Sequence, residues 1–359
     1  MKKWLNHPIS WTLWSVLAIA FLPWIVPERT MAHYSDGALR HLALSTGLSA
    51  VPTTYDALLK VVDNPANPMG RTKIALGKRL FFDTRLSRDK TLNCASCHIL
   101  ESGGDDDRSV AIGYHGRANP FHLNSPTVLN AALAKSQFWD GSAVDVEEQA
   151  GGPVQAPFEM NMTPHEVEKR LNDDAAMRAE FGQVFGEETI TFENVRKAIG
   201  AYERTLLTRG KFDAFLDGNN SAINAQAKRG LTLFIDKGCK GCHVGMSVGG
   251  QSIQRFPVRS YWSEYLGMVL SPNPKIKTSP YPFEDLGHYR GRNGALEFRV
   301  PILRNITRTA PYFHNGNEKK IEEVVRIMSK YQIGNEFTPE QIDDVVEFLK
   351  TLEGEIVEY

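Results

Sequence analysis

Apolar residues recur at helical spacing in several separate stretches of the chain. Tyr55 to Val62 and Thr72 to Phe82 each carry such a stripe. Phe192, Val195, Ile199, Tyr202 and Leu206 follow three-and-four spacing, as one face of an amphipathic helix does. Thr163-Pro164-His165-Glu166 reads as a capping box with proline at the first helical position, and Val167 and Leu171 share a face of the helix it opens. Thr338-Pro339-Glu340-Gln341 opens another, with Ile342, Val345, Val346, Leu349 and Leu352 inward and Gly354 as the expected stop. Strand-like alternation is scarce. Segments 101–126 and 244–300 are rich in Gly, Pro and Asn without sustained periodicity, and read as long functional loops. The pattern predicts a mostly α protein with long irregular loops.

The amino terminus departs from this pattern. Lys2 and Lys3 precede an uncharged stretch from Ile9 to Val26, and Glu28-Arg29 ends it. Residues 1–30 read as an export signal or a retained membrane anchor, which places the remainder outside the cytoplasm. At 359 residues the chain has room for two or three domains. A boundary is expected near 210–222, around Gly210 and Asp217-Gly218-Asn219-Asn220, giving domains 31–215 and 216–359. With 42% hydrophobic and 23% charged residues, the composition excludes global disorder. A formal net charge of −1 leaves no electrostatic footprint for nucleic acid.

Four cysteines sharpen the picture: Cys94-Ala95-Ser96-Cys97-His98 and Cys239-Lys240-Gly241-Cys242-His243 use all of them. In C-x-x-C-H the two thiols form thioethers to haem vinyl groups and the adjacent histidine binds the iron. Zinc ribbons space their pairs by roughly 15–20 residues, far less than the 145 residues between Cys94 and Cys239. A thioredoxin-like pair needs one C-x-x-C in a βαβ context, which is lacking. Two covalently attached c-type haems follow. Helix-like runs, Gly77 to Phe82 and Lys228 to Phe234, precede the two motifs as a weak internal repeat. Spacing alone leaves the remaining axial ligand open among Met31, Met69, Met160, Met162, Met177, Met246, Met268 and Met328.

The sequence resembles the bacterial di-haem cytochrome c peroxidases from about Leu76 to Gly354. The likeness rests on Leu80-Phe81-Phe82-Asp83, Leu86-Ser87-Arg88, Cys94 to His98, Asn124 to Asn130, and Gln137-Phe138-Trp139-Asp140-Gly141. Gly152-Pro153-Val154-Gln155, Glu159-Met160, Arg304-Asn305 and Ala310-Pro311-Tyr312-Phe313-His314 extend it. The resemblance implies two cytochrome c-like domains, one haem in each. It makes His98 the proximal ligand of an amino-terminal peroxidatic haem, and His243 and Met328 the axial pair of a carboxy-terminal, high-potential haem. Glu159 matches the catalytic carboxylate, Gln149 its companion amide and Trp139 the tryptophan between the haems. Asn124, Thr309 and Pro311 match calcium-binding positions at the domain interface, the last two through carbonyls, as suits a hard cation. The family's displaceable distal histidine falls on a loop where Tyr114, His115 or His122 could stand, with His115 the expected ligand.

Breaking the O–O bond of peroxide needs a base that moves a proton from one oxygen to the other, which a carboxylate such as Glu159, among Pro157, Phe158 and Met160, can do. The resemblance thus implies a periplasmic peroxidase that takes electrons from a small c-type cytochrome or copper protein, and a homodimer. Two alternatives use the same frame: a di-haem oxidase that modifies a protein side chain, and a non-enzymatic electron carrier. The oxidase has tyrosine where this chain has Met328. A haem-based sensor would need an output module, for which no residues are spare.

Overall fold

In a computed structural model of the protein, the described residues are 33–258 and 287–359. The expected export signal or anchor, and the middle of the 244–300 segment, lie outside them. No described helix is long and apolar enough to cross a membrane.

The capping residues found in the sequence do start helices. Thr163 and Thr338 each accept from the backbone amide three residues on, while Glu166 and Gln341 reach back to the cap, as reciprocal boxes. Among the described residues eleven helices form. They are α1 Asp36–Ser45, α2 Tyr55–Val62, α3 Arg71–Phe81, α4 Val146–Gln155, α5 Pro164–Asn172 and α6 Ala175–Phe185. Then follow α7 Phe192–Glu203, α8 Lys211–Leu216, α9 Ala225–Asp236, α10 Ile321–Ile327 and α11 Pro339–Lys350. Two short antiparallel pairs complete the described structure. β1 (Thr208–Gly210) pairs with β4 (Gly354–Ile356), and β2 (Ile253–Arg255) with β3 (Glu297–Arg299).

One sequence expectation shifts. Gly354 does not stop α11, which ends at Lys350; it starts β4, opposite Gly210. A side chain on either glycine would strike the facing backbone, so the pair lets the strands close.

The weak repeat becomes a matched pair of helix crossings. Gly77 of α3 packs on α7, where a Cβ would collide with the Ala198 carbonyl and the Tyr202 side chain. Gly230 of α9 packs on α11 in the same way, against the Asp344 carbonyl and Phe348. Four residues after each glycine, Phe81 and Phe234 set their rings 5.4 Å from Tyr202 and 5.2 Å from Phe348. Each crossing anchors an apolar core: Leu76, Leu80, Val195 and Ile199 around the first, Leu231, Val345 and Leu349 around the second. Between them Arg304 is fully buried. Its two terminal nitrogens donate to the Asp213 carboxylate at 2.8 and 2.9 Å, and Nε donates to the Met246 carbonyl at 2.6 Å. Asp213 in turn accepts from the amides of Val51 and Gly210, so one buried ion pair ties four separate segments.

Candidate functional site

The chain that follows each crossing helix carries a C-x-x-C-H motif in the same conformation. Cys94–Ser96 and Cys239–Gly241 form tight 3-10 turns. In both, the histidine amide donates to the first cysteine's carbonyl at 3.0 Å and the second cysteine's amide does so at 3.2 Å. Cys94, Cys97 and His98 line one cavity of about 1340 Å³, and Cys239, Cys242 and His243 line another of about 1560 Å³, open mouths included.

The chemistry of these groups suits haem. Burial pushes the Cys97 and Cys239 thiols up to about 12, and raises Cys94 and Cys242 as well, so all four are neutral thiols rather than thiolates. Burial lowers both histidines, His243 to about 4, leaving neutral imidazoles able to bind a metal. His98 Nδ1 lies 3.0 Å from the Gly104 carbonyl, which fixes the ring and leaves its other nitrogen for a metal. The two pairs line different cavities, and the described residues hold no cluster of three His, Cys, Asp or Glu side chains.

The amino-terminal cavity also receives Gln149, from α4, and Glu159, from the turn after it. Ala150, Pro153, Val154, Phe158 and Met160 give that corner apolar walls. Burial alone raises the Glu159 carboxyl to about 7. Its backbone carbonyl accepts from the Tyr114 amide at 2.7 Å, which docks the 111–117 loop beside it. Gly113 makes that contact possible, since a Cβ there would collide with the Phe158 carbonyl.

In the carboxy-terminal cavity Met328 shares the lining with His243. It stands where α10 widens into a π-helical turn, Met328–Ile333, closed by Gly334 at φ 78°. Trp139 lines both cavities, as do Asn124, Ser125 and Pro126. Its indole Nε1 donates to the Asn124 carbonyl, and its ring meets that of His314 edge-on at 6.4 Å. Thr309 and Pro311 line the carboxy-terminal cavity together with Asn124.

His115 is not brought to the cavity. It is exposed, at φ 56°, with its ring stacked on Tyr114 at 4.0 Å and its Nε2 3.9 Å from Asp89. Neither Tyr114 nor His122 lines the cavity either.

Comparison with known proteins reaches the same place. The di-haem cytochrome c peroxidase family matches residues 71–221, and the cytochrome c family matches 227–353. A cytochrome c551 peroxidase of Pseudomonas aeruginosa is 36% identical, covering 87% of this chain and 90% of its own. One of Nitrosomonas europaea is 39% identical, covering 78% and 79%. The chain belongs to the di-haem cytochrome c peroxidase family. A methylamine utilization protein, MauG, of Methylorubrum extorquens is 34% identical over 86% of each chain. Among solved structures, a MauG-like protein associated with microbial copper homeostasis aligns with TM-score 0.67 at 27% identity, covering 82% of this chain and 93% of that one. The mostly helical, two-domain architecture with a haem-binding motif in each domain is that of the family.

Several residues of this family member's cavities were not singled out in the sequence. Glu203 lines the amino-terminal cavity at 4% exposure, and burial raises its carboxyl to about 8. A signal existed: Glu203 falls four residues after Ile199 on the apolar stripe of α7, where a carboxylate is out of place. Outside both linings, Asp105 is fully buried with neither carboxylate oxygen hydrogen-bonded, and Asp106 leaves Oδ2 unpartnered. Arg299, in the carboxy-terminal cavity, carried no sequence signal because it sits on a three-residue strand.

Proposed function

We propose that this protein reduces hydrogen peroxide to two waters, consuming two protons and two electrons from a small reduced donor protein. The observation that carries the reading is that Glu159, its carboxyl held near 7, faces the same cavity as Cys94, Cys97 and His98. Haem bound at each cysteine pair would supply the iron that carries electrons and receives peroxide. Glu159 takes a proton from the nearer peroxide oxygen and returns it to the farther one, and apolar neighbours shield it from bulk water. The Gln149 amide lies in the same lining and can hydrogen-bond peroxide. His243 and Met328, which share one lining, would hold the second haem for electron entry, and Trp139 stands in the wall between the two cavities. His115 stands outside the cavity lined by His98 in this conformation.

The reading extends to domains 31–215 and 216–359, a periplasmic location reached through residues 1–30, a cytochrome or copper-protein donor, and a homodimer. It also includes calcium held by Asn124 and the carbonyls of Thr309 and Pro311. The orphaned carboxylates of Asp105 and Asp106 would supply negative charge to that region. Calorimetric titration of the chelated holoprotein with calcium should show one site per chain; no heat would remove the ion. Met328 in the cavity of His243 favours the peroxidase over the side-chain oxidase, which has tyrosine at that position.

Steady-state turnover of Glu159→Gln tests the central claim. Both haems should remain, by pyridine haemochrome, while turnover falls about 10²- to 10⁴-fold. Unchanged turnover would take Glu159 out of the reaction.

A further inference from the structure

The two cavities differ in the ionisable residue types that line them. Among the described residues, Arg299 is the one charged side chain lining the carboxy-terminal cavity. The amino-terminal cavity is lined by Asp140, Glu159 and Glu203 and by no lysine or arginine.

Arg299 ends β3 and is 5% exposed. Its amide donates to the Trp139 carbonyl at 2.7 Å and its Nε to the Phe138 carbonyl at 3.1 Å, so the residue is fixed against the wall between the cavities. Its Nη1 is buried without a hydrogen-bond partner. Burial lowers the guanidinium to about 10, with no neighbouring carboxylate to oppose the shift, and it stays charged at neutral pH. A buried cation without a counter-ion is costly, and a buried donor without an acceptor adds to the cost. Other titratable groups in the lining provide no anion. Burial holds His314 near 4 and Tyr312 near 12, both uncharged at neutral pH, and His243 is likewise neutral. No anion lines the cavity among the described residues, and haem carries two propionates that would supply one.

We infer that Arg299 binds a propionate of the haem held at Cys239, Cys242 and His243, and that this cation keeps the carboxy-terminal site at a higher reduction potential than the amino-terminal one. The inference rests on the two-haem reading above. A guanidinium fork matches a carboxylate bidentately. Reduction adds negative charge to the site, so a fixed neighbouring cation stabilises the reduced form. Arg299 is a binding and tuning residue; it moves no proton in the reaction.

The test is a redox titration of the full-length holoprotein, with the carboxy-terminal haem followed by its methionine-to-iron charge-transfer band. Arg299→Gln should retain two haems per chain, lower the potential of that haem and leave the other in place. An unchanged potential, or an equal fall at both sites, would overturn the assignment. Arg299→Lys keeps the charge but loses the fork. Its potential should stay near that of the parent, while the propionate bending band in the resonance Raman spectrum of the half-reduced protein shifts. If the Gln variant fails to hold haem, the Lys variant decides alone, and an unmoved propionate band overturns the inference. Peroxide turnover by the parent protein separately tests the peroxidase reading, because the potentials do not depend on it.

Discussion

The indole Nε1 of Trp139 donates to the backbone carbonyl of Asn124 at 2.8 Å. The Trp139 carbonyl in turn accepts from the Arg299 amide. The wall between the cavities is therefore pinned through both the side chain and the main chain of one residue, and the indole keeps a fixed orientation that packing alone would not give it.

Trp139→Phe keeps an aromatic filler in the wall but leaves the Asn124 carbonyl without its donor. Both haems should stay bound, with stability down by about 1 kcal/mol. Electron transfer between the sites should slow by roughly tenfold, equivalent to about 1.4 kcal/mol in barrier. Stopped-flow oxidation of the carboxy-terminal haem by peroxide reads this directly. A rate equal to the parent's would remove Trp139 from the path.

Glu159 works as a base only when ionised, and burial holds its carboxyl near 7 rather than 4.5. Below that point the group is protonated and cannot accept the peroxide proton. kcat/KM for peroxide should thus climb with pH and level off above about 7, with a slope of one proton. A profile already flat from pH 5 upward would contradict the assignment.

Glu203 gives a stability effect of defined sign. Burial holds it near 8 against an ordinary value of 4.5, so the folded chain keeps a proton that the unfolded chain has lost. Stability contributed at this site falls as pH rises between those values. Glu203→Gln removes the penalty and should be more stable than the parent at pH 8, by about 4 kcal/mol, with the two converging towards pH 4.5. Thermal melts across that range check it, and parallel curves would show that Glu203 is not buried in the holoprotein.

The matched glycines predict matched damage. Gly77→Ala places a methyl group on the Ala198 carbonyl, and Gly230→Ala places one on that of Asp344. Neither obstacle is a flexible side chain, so the helices must separate, at a cost of about 3 kcal/mol or more. Alanine at the half-buried helical glycine Gly182, whose nearest neighbour is the flexible Glu188 side chain, should instead be neutral or mildly stabilising. Comparing the three by denaturant unfolding separates close approach from helix propensity.

The helices were legible because capping boxes and apolar stripes are local signals: α2 spans the residues that its pattern marked, and α5 and α11 start at the threonines that cap them. The cysteine motifs were legible because thioether chemistry fixes their spacing. What escaped was long-range. Gly354 looks like a helix stop until Gly210, far away in sequence, pairs with it. Arg299 acquires meaning only when its strand folds against Phe138 and Trp139. His115 illustrates the reverse case, a residue whose type fits the expected role but whose loop, docked through Tyr114 onto Glu159, points it toward Asp89.

The buried Arg299 also bears on the protein at rest. If it raises the potential of the haem beside it, as inferred above, an electron delivered there would have no downhill route past Trp139. It would wait until an oxidant arrived on the far side and made the passage favourable. The reduced protein would then be a reservoir with little leak, and peroxide itself would open the tap.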